Sequence, residues 1–414
     1  MIFFIYQLFI SIILFLSPII VIYRILKNKE DKYRIKEKFC FFSKKRSVGK
    51  LIWFHGSSVG EIMSIIPIIK KYDNDKSINN ILITSSTLSS SNILKKIKFK
   101  KTIHQFYPID HLFFSNKFLN YWKPDIAIFL ESEIWPSMFK SIKNRNIPLI
   151  LLNARITKKT YNRWFKIKKF SNSIFSLIDK AYSQNSETNY YLKKLNVKSI
   201  KSIGNLKFIE NDNFESNQAD KKLFSQFKKY KTFIAASTHD TEELFTAKTH
   251  ILLKKKNKNI ITIIIPRHVN RVNQIISQIN ELGLNVISRS SNKRKLKNID
   301  IFVVDTFGES KKFYKFATTV FLGGSIIKRG GQNPLEAARF GTKILHGPNI
   351  DNFKDVYKYL NQLKISSKIN SPQECANSII FKKNMKKAKK MKYLGTTILK
   401  KTLNELDKSI HNEI

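Results

Sequence analysis

Residues 323–336, GGSIIKRGGQNPLE, point most clearly to ligand chemistry in this chain. They follow a β-branched and aromatic run at 318–322 and end where an amphipathic helix is expected to begin. A glycine-rich strand end, a basic residue and a helix start together bring backbone N–H groups and positive charge close to a ligand, as in phosphate sites. Four of the 13 glycines of the chain lie here, together with Arg329. We therefore predict a nucleotide site in this segment.

The same segment also has a purely structural interpretation. Asn333, Pro334, Leu335 and Glu336 fit the N-cap, N1, N2 and N3 positions of the following helix, with Glu336 as the capping-box carboxylate. Capping alone does not require the clustered glycines and the arginine. We favour the ligand interpretation, and a role for Glu336 as a helix cap remains open.

Acidic residues follow two predicted strands in the N-terminal half of the chain. HGSSVGE at 55–61 ends with Glu61, and ESEIWP at 131–136 contains Glu131 and Glu133. A carboxylate at a strand end within a cleft can act as a catalytic acid or base. The alternatives are a second capping box for the first motif and solvated loop carboxylates for the second.

Basic and glycine-containing motifs follow other predicted strands. Arg267 and His268 come after the most apolar strand of the C-terminal half, and a guanidinium fork there matches a phosphate. Gly308 in DTFGE, residues 305–309, permits a close approach of the backbone. Lys207 in GNLKF is not informative alone in so basic a chain. The strand ends at Arg267, at DTFGE and at residues 323–336 are predicted to converge on one nucleotide-sized site.

Several chemistries are disfavoured by what the sequence contains. There is no GxxxxGK[ST] loop, and the DxD-like triplet at 73–75 lies in a lysine-rich stretch, which argues against ATPase chemistry and a metal-held nucleotide diphosphate. Cys40 and Cys375 lack metal-ligand spacing. We interpret His239 of AASTH as a structural histidine and predict no metal site.

Short apolar strands alternate with helical stretches behind the first residues, which predicts parallel sheets covered by helices. A chain of 414 residues is expected to form two domains. The predicted fold class is α/β, with two Rossmann-like domains. The first series of strands is predicted at 51–54, 80–84, 125–130, 147–152 and 180–183, and the second at 232–236, 259–265, 285–288, 301–304 and 318–322.

The N-terminal segment is predicted to be a membrane anchor. Residues 2–23 contain no charged side chain and are long enough to span a bilayer as a helix. Arg24, Lys27 and Lys29 follow directly, which favours a single-pass helix with the rest of the chain on the cytoplasmic side. Pro18 could kink the span or mark a shallower interfacial helix.

The formal charge of +45 suits anionic lipid, phosphorylated substrates or nucleic acid. Saturation of the chain with Lys, Ile and Asn is equally typical of compositional drift in an AT-rich coding sequence. Nucleic acid binding is disfavoured, because the informative motifs are glycines and acids at strand ends, not basic patches interleaved with aromatic residues.

The motifs together, in this order, resemble those of the bacterial 3-deoxy-D-manno-octulosonate (Kdo) transferases that modify lipid A. The resemblance covers nearly the whole chain, including the N-terminal anchor. It rests on HGSSVGE, ESEIWP, NAR, GNLKF, AASTH, PRH, DTFGE and RGGQNPLEAARFG followed by GPNIDNF. Departures from the family pattern are Gln332 in place of a usual histidine, Ala337 in place of a frequent proline, and Cys40 in a segment that usually contains glycine.

The resemblance implies the two-domain GT-B architecture and an inverting transfer of Kdo from CMP-Kdo to a lipid A precursor at the inner membrane, with no cofactor and no metal. It implies Glu61 as general base and Glu131 and Lys207 as stabilisers of the transition state. It makes no prediction of oligomeric state. The CMP-binding residues that it implies are Arg267, His268, Phe307, Gly308, Glu309, Asn333, Pro334, Leu335 and Glu336.

The predicted organisation is an anchor at 1–26, an acceptor domain at 27–208, a linker at 209–225, a nucleotide-binding domain at 226–385 and a basic helical tail at 386–414. Two other functions stay open from the residues alone. One is a different GT-B envelope enzyme that uses a UDP-sugar, similar to lipid A disaccharide synthase. The other is a non-catalytic, basic, membrane-tethered binding protein.

Overall fold

The computed structural model describes residues 2–209, 220–291 and 296–411 of the chain. The chain divides into two compact units, Met1–Asn211 with Leu394–Ile414, and Asp212–Tyr393. Most of the linker predicted at 209–225 lies outside the described residues. Each unit is built on one seven-stranded parallel sheet, which confirms the predicted α/β class and the two Rossmann-like domains.

The sheet of the first unit has the strand order β3-β2-β1-β4-β5-β6-β7. Its central strands are buried along their whole length, because helices cover both faces of a parallel sheet. Trp53 and Phe129 are two of the large buried side chains that pack between this sheet and its helices. The strands are β1 Leu51–His55, β2 Asn80–Ser85, β3 Thr102–Phe106, β4 Ile126–Leu130, β5 Leu149–Ala154, β6 Lys180–Ser183 and β7 Ser199–Ser202.

The first helix is the predicted anchor, and it is long and apolar enough to cross a membrane. The other helices connect the strands as crossovers. The helices of this part of the chain are α1 Ile2–Leu26, α2 Val59–Asn74, α3 Leu88–Lys95, α4 Leu112–Trp122, α5 Pro136–Lys143, α6 Lys158–Phe165, α7 Lys168–Phe175 and α8 Ser186–Lys194, with short 3-10 helices at Ile35–Phe39 and Leu206–Phe208.

The sheet of the second unit has the order β10-β11-β9-β8-β12-β13-β14. Its strands are β8 Lys231–Thr238, β9 Ile260–Pro266, β10 Val286–Ser288, β11 Ile301–Val303, β12 Thr319–Leu322, β13 Lys343–His346 and β14 Ser366–Lys368. Its helices are α9 Asp220–Phe227, α10 Glu242–Lys256, α11 Val272–Asn280, α12 Ser310–Tyr314, α13 Leu335–Ala338, α14 Lys354–Gln362 and α15 Pro372–Ser378, and α16 Met385–His411 follows, with 3-10 helices at Val269–Arg271 and Asp351–Phe353.

Both sheets reverse their strand order once, beside their first strand. In the first unit β1 pairs with both β2 and β4, and in the second unit β8 pairs with both β9 and β12. At such a switch point the crossovers leave in opposite directions and open a crevice outside the carboxyl ends of the strands. Ligand chemistry is therefore expected after β1 and β4 in one unit and after β8 and β12 in the other.

Strands β3, β7, β13 and β14 were not predicted from the sequence. They are short strands at or near the sheet edges, and β7 and β14 read SIKS and SSK, without an apolar run. An edge strand with one face in water needs few apolar residues, so its composition resembles that of a loop.

The predicted basic tail is helical, and from Leu394 onward it belongs to the first unit. The Tyr72 hydroxyl donates to the Asp407 carboxylate at 2.8 Å, and the Lys201 ammonium pairs with Glu405 at 2.8 Å. Gly395 lies where the helix passes the 3-10 turn before the linker: a Cβ there would be 2.4 Å from the Phe208 carbonyl oxygen. The end of the chain thus returns to cover the first sheet.

Gly395→Ala should destabilise the protein, although replacing glycine by alanine inside a helix normally stabilises by up to about 1 kcal/mol. The added methyl would press on a backbone carbonyl, and such overpacking costs about 1–3 kcal/mol. Gly60→Ala in α2 is the control, because the nearest atom to its new Cβ would be the Ser58 hydroxyl oxygen at 3.9 Å. Thermal melting should show a lower midpoint for Gly395→Ala alone. Equal midpoints would show that the helix does not pack closely at Gly395.

Candidate active site

Glu61 lies in the first turn of α2, directly after β1, at the switch point of the first sheet. The Ser58 hydroxyl caps the helix by accepting from the Glu61 backbone N–H at 3.3 Å. The Glu61 carboxylate in turn accepts from the Ser57 N–H at 2.8 Å and from the Ser58 hydroxyl at 2.7 Å. The capping box considered from the sequence therefore exists, and it holds the carboxylate at the mouth of the crevice.

Burial raises the pKa of Glu61 to about 7, and the nearby charges of Glu133 and Glu131 act in the same direction, against the hydrogen bonds from Ser58 and Ser57. Gly56 allows this crowding, since a Cβ on it would lie 2.8 Å from Leu130 Cδ1 and 3.2 Å from Glu61 Cβ. A carboxyl group that titrates near neutral pH can take up a proton and release it again at that pH.

Glu133, two residues beyond Glu131, has a lowered pKa, whereas Glu61 has a raised one. Its Oε2 accepts from His55 Nε2 at 3.2 Å, from the Ser57 hydroxyl at 2.6 Å and from Trp135 Nε1 at 3.0 Å. Burial acts to raise its pKa, but these three donors outweigh it and hold the pKa below the ordinary value. Glu133 therefore stays ionised beside Glu61.

His55 supports this arrangement from inside the protein. The ring is fully buried and lies 3.9 Å, centroid to centroid, from the ring of Tyr107. Burial lowers the pKa of His55, so the imidazole is neutral and its Nε2 donates to the Glu133 carboxylate. We identify His55 and Ser57 as site residues that the sequence analysis missed, because the last residue of a buried strand gives no separate signal in the sequence.

Glu131, the first residue after β4, forms an ion pair with Lys207, whose Nζ lies 2.7 Å from its Oε1. The Asn153 side-chain amide approaches the same oxygen at 3.4 Å. The backbone of Glu131 is left-handed, with φ of 51°, a conformation that costs a non-glycine residue of order 1–3 kcal/mol. Such strain is typical of positions where side-chain direction matters more than stability.

Buried amides hold the backbone of Lys207 in place. Asn153 Oδ1 accepts from the Leu206 N–H at 3.0 Å, and Asn205 Oδ1 accepts from the Lys207 N–H at 2.9 Å. Gln184 links the two asparagines, by donating to the Asn153 carbonyl at 2.9 Å and accepting from Asn205 Nδ2 at 3.0 Å. The three predicted catalytic residues of this unit, Glu61, Glu131 and Lys207, are thus brought to the carboxyl edge of one sheet.

At the switch point of the second unit a buried carboxylate occupies the glycine-rich loop. The fully buried Glu242 accepts from four backbone N–H groups, those of His239, Gly324, Ser325 and Ile326, at 2.7–3.1 Å. The expectation that the first N–H groups of this loop are bare for a phosphate is therefore wrong. Glu242 already satisfies them, so an anion here must be held by side chains or by later parts of the loop.

The start of α10 has no side-chain cap, because its N-cap residue, Thr241, makes no such hydrogen bond. Asp240 and Glu243 next to it accept from Arg271, at 2.6 and 3.3 Å. These contacts tie the helix start to the segment after β9.

Cationic side chains gather next to that loop. The rings of His239 and His268 are 5.5 Å apart, and the exposed Arg267 and Arg329 lie close enough to act on His239. Burial, then the positive charges of His268, Arg329 and Arg267, lower the pKa of His239. Within the described ranges, His239 Nε2 is a buried nitrogen without a hydrogen-bond partner. His239, which the sequence analysis interpreted as structural, therefore keeps one ring nitrogen available for a hydrogen bond.

In the motif DTFGE, the acidic side chain is hydrogen-bonded within its own loop and the aromatic one is exposed. The Glu309 carboxylate accepts from the Thr306 hydroxyl, from Lys312 at 2.9 Å and from Arg289 at 3.3 Å. Burial acts to raise its pKa, but these donors lower it to about 2. The side chain of Glu309 is thus committed to its own loop, whereas Phe307 beside it is 83% exposed and can contact a ligand.

The last predicted segment forms a single helical turn, α13, and not the longer amphipathic helix that was expected. Asn333 Oδ1 accepts from the Leu335 N–H at 3.0 Å, while Pro334 occupies the N-cap position. The assignment of Asn333 and Pro334 to N-cap and N1 is therefore shifted by one residue. Glu336 is partly exposed in the first turn.

In the part of the chain that the structure describes, no group of three His, Cys, Asp or Glu side chains is placed to hold a metal ion. Metal-independent transfer remains a prediction.

The two parallel-sheet units, each with its chemistry at a switch point, define a GT-B-like protein. The fold is similar to that of a solved UDP-N-acetylglucosamine 2-epimerase, with a TM-score of 0.55 at 13% identity, covering 88% of this chain and 96% of that one. At this identity the likeness concerns the fold alone.

The relatives in sequence are more specific. Residues 33–210 match the family described as 3-deoxy-D-manno-octulosonic-acid transferase (kdotransferase). The 3-deoxy-D-manno-octulosonic acid transferase of Rickettsia bellii is 33% identical over 364 residues, 88% of this chain and 86% of that protein. The transferase of the same name from Haemophilus influenzae is 28% identical, over 87% of this chain and 86% of that protein. The chain belongs to the Kdo transferase family of glycosyltransferases.

Glu61→Gln should stabilise the protein at pH 8. The pKa of Glu61 in the folded protein, about 7, lies above the ordinary value of 4.5, so the fold disfavours the charged form. The resulting loss of stability grows as the pH rises from 4.5 to 7 and is complete above pH 7. Removing the charge should add about 2–3 kcal/mol at pH 8 and less than about 1 kcal/mol at pH 5. Thermal melting at both pH values measures the difference.

Asp73→Asn is the matched control, because hydrogen bonds from Lys100, Lys101 and Thr102 outweigh burial and lower the pKa of Asp73. It should lose stability at pH 8. A Glu61→Gln protein that is no more stable than wild type at pH 8 would show that the Glu61 carboxylate is well solvated.

Proposed function

We propose that this protein transfers Kdo from CMP-Kdo to the glucosamine disaccharide of a lipid A precursor in lipopolysaccharide biosynthesis, with release of CMP. Glu61 is the general base. The observation that carries the proposal is the neutral-range pKa of Glu61 beside two carboxylates that are held by Lys207 and by the His55, Ser57 and Trp135 donors.

The reaction is a single displacement. An acceptor hydroxyl gives its proton to the Glu61 carboxylate while its oxygen forms a bond to the anomeric carbon of Kdo, and the bond from that carbon to the CMP phosphate oxygen breaks. The electron pair of the broken bond leaves with CMP, and the proton passes from Glu61 to solvent. Without a covalent enzyme intermediate the anomeric configuration inverts.

Lys207 supplies positive charge where negative charge develops. Its ammonium is held by Glu131 at 2.7 Å, and its backbone is held by the buried amides, so little reorganisation is needed during the reaction. We assign Lys207 to the carboxylate of the donor or to the leaving phosphate, and Glu131 to the orientation of that ammonium.

The nucleotide binds at the second switch point. Arg267, His268 and the unpartnered nitrogen of His239 supply donors for the phosphate of CMP without a metal. Phe307 and Gly308 approach the nucleotide from the end of β11, and the Glu309 carboxylate keeps that loop in shape. The turn formed by Asn333, Pro334, Leu335 and Glu336 takes the ribose, whose hydroxyls donate to Glu336.

The site of action is the inner membrane, where α1 anchors the chain and the basic residues after it favour the cytoplasmic side. Positive charge beside an anionic leaflet is worth on the order of 1 kcal/mol per Lys or Arg near the surface. The acceptor carries phosphates and acyl chains, so it is presented at the same surface.

Glu61→Gln should reduce turnover by roughly 100-fold or more while leaving CMP affinity nearly unchanged. The wild-type kcat/KM should fall on the acid side with an apparent pKa near 7, because the base must be deprotonated in the free enzyme. Mass spectrometry of the product from CMP-Kdo and tetra-acylated precursor measures turnover, and a panel of UDP-sugars tests the donor. Near wild-type turnover would reduce Glu61 to a helix cap.

Arg267→Ala and Glu336→Ala should each weaken CMP binding, by roughly 10-fold or more for the charge-assisted contact of Arg267. Isothermal titration calorimetry with CMP measures both. Lys258→Ala is the control, because Lys258 is an exposed lysine at the far, amino end of β9. Unchanged affinity in both variants would place the nucleotide elsewhere.

A further inference from the structure

Helix α1 lies along the surface of the first unit from Ile2 to Ser17. One face is sheltered, from Phe3 near its beginning to Ser17, which is 7% exposed, and on to Arg24. Ile2, Phe3 and Leu14 pack against the core of that unit. Arg24 then pairs with Glu30, just beyond the helix, at 2.7 Å.

Polar side chains near the beginning of α1 are fastened to the unit. The Tyr6 hydroxyl donates to Asp110 at 2.6 Å, and Gln7 donates to the Ser137 hydroxyl at 2.7 Å and accepts from the Leu112 N–H at 3.1 Å. One turn later, the Ser11 hydroxyl lies 3.3 Å from His111 Nε2. All of these contacts are on the sheltered face.

Asp110, which accepts the hydrogen bond from Tyr6, is itself buried and held in place by the protein backbone. It is 3% exposed and accepts from the backbone N–H groups of Ser137 and Met138 at 3.0 and 2.9 Å. Pulling Tyr6 away would leave a buried carboxylate without one of its donors, which is costly. A helix that crossed a bilayer would have to give up these contacts, because its length of about 37 Å would carry Tyr6 and Gln7 through the hydrocarbon.

The opposite face of α1 is apolar and exposed from end to end. An exposed apolar surface of this extent marks a site of contact with protein or membrane. The exposed large side chains are Phe4, Ile5, Leu8, Phe9, Ile12, Phe15, Leu16, Ile19, Ile20, Ile22, Tyr23 and Leu26.

The surface beside α1 has the composition of a membrane interface. Phe170 packs its ring against Phe3 and Tyr6, and the segment before it, RWFKIKK at 163–169, exposes Phe165 and Ile167 among basic residues. Apolar side chains surrounded by lysines match an anionic leaflet, in which the rings enter the headgroup region and the ammonium groups pair with phosphates.

We propose that α1 lies in the plane of an anionic membrane, with its exposed face inserted in one leaflet together with Phe165 and Ile167, and does not cross the bilayer as the sequence suggested. The docked face includes Ser137, which follows ESEIWP at the carboxyl edge of the first sheet. A lipid held in the same leaflet would therefore meet the edge where Glu61 and Glu131 lie.

The test uses the full chain with Cys40→Ser and Cys375→Ser, labelled at one new cysteine and reconstituted in phosphatidylethanolamine and phosphatidylglycerol vesicles. Phe4→Cys, Phe15→Cys and Leu26→Cys replace residues that are 72%, 84% and 75% exposed along α1. Quenching by lipids with spin labels at shallow and deep positions should place all three labels at one depth. A crossing helix would place Phe15 deepest, and that result would overturn the proposal.

A second pair of labels tests the docked surface. Phe165→Cys should be quenched by the shallow lipid at least several-fold more than Val48→Cys, although Val48 is 92% exposed and Phe165 48%. Val48 lies on a loop whose carbonyls accept from Asn80, at the amino edge of the sheet. Equal quenching at the two positions would contradict the assigned surface. In sealed spheroplasts, Ile2→Cys and Asn28→Cys should both be protected from an impermeant maleimide, and labelling of Ile2→Cys alone would show that the helix crosses.

Discussion

The crowding of three carboxylates at one sheet edge is the constraint on which the first unit depends. Glu61, Glu131 and Glu133 follow the two strands that flank the switch point, and the fold cannot separate them. Lys207 forms an ion pair with Glu131, and three hydrogen-bond donors stabilise the charged form of Glu133. Glu61 has a raised pKa. Environments that push the pKa values of neighbouring carboxyl groups apart are how acid and base roles are assigned within one site.

The sheet of the second unit has a switch point too, but the side chains gathered there are mainly cationic. The carboxylate at this switch point, Glu242, accepts hydrogen bonds from four backbone N–H groups and thereby holds the glycine-rich loop in shape. Positive charge then comes from side chains, and the buried nitrogen of His239 is left for a ligand. Gly323 shows how tightly this loop is packed, since a Cβ there would lie 2.4 Å from the Ser237 carbonyl oxygen. One unit therefore holds a carboxyl group with a raised pKa, and the other holds a cluster of cationic side chains.

The sequence predicted what depends on local pattern and missed what depends on long-range contacts. The central strands and the positions of Glu61 and Glu131 follow from apolar runs and the residues after them, and the structure has them there. The bond between Glu242 and Gly324 joins residues that are 82 positions apart, so glycine spacing suggested open N–H groups where a carboxylate sits. The return of α16 to the first unit and the fastening of α1 to Asp110 were hidden for the same reason.

The pH at which Glu61 loses its proton distinguishes a general base from a solvated helix cap. Infrared difference spectra of wild-type protein and Glu61→Gln, taken across a pH titration, isolate the carboxyl band of that one side chain. With a pKa near 7, the band of the protonated acid should persist into the neutral range and disappear with a midpoint near pH 7. A midpoint near the ordinary value of 4.5 would contradict it, because Glu61 would then be a solvated helix cap with no special basicity.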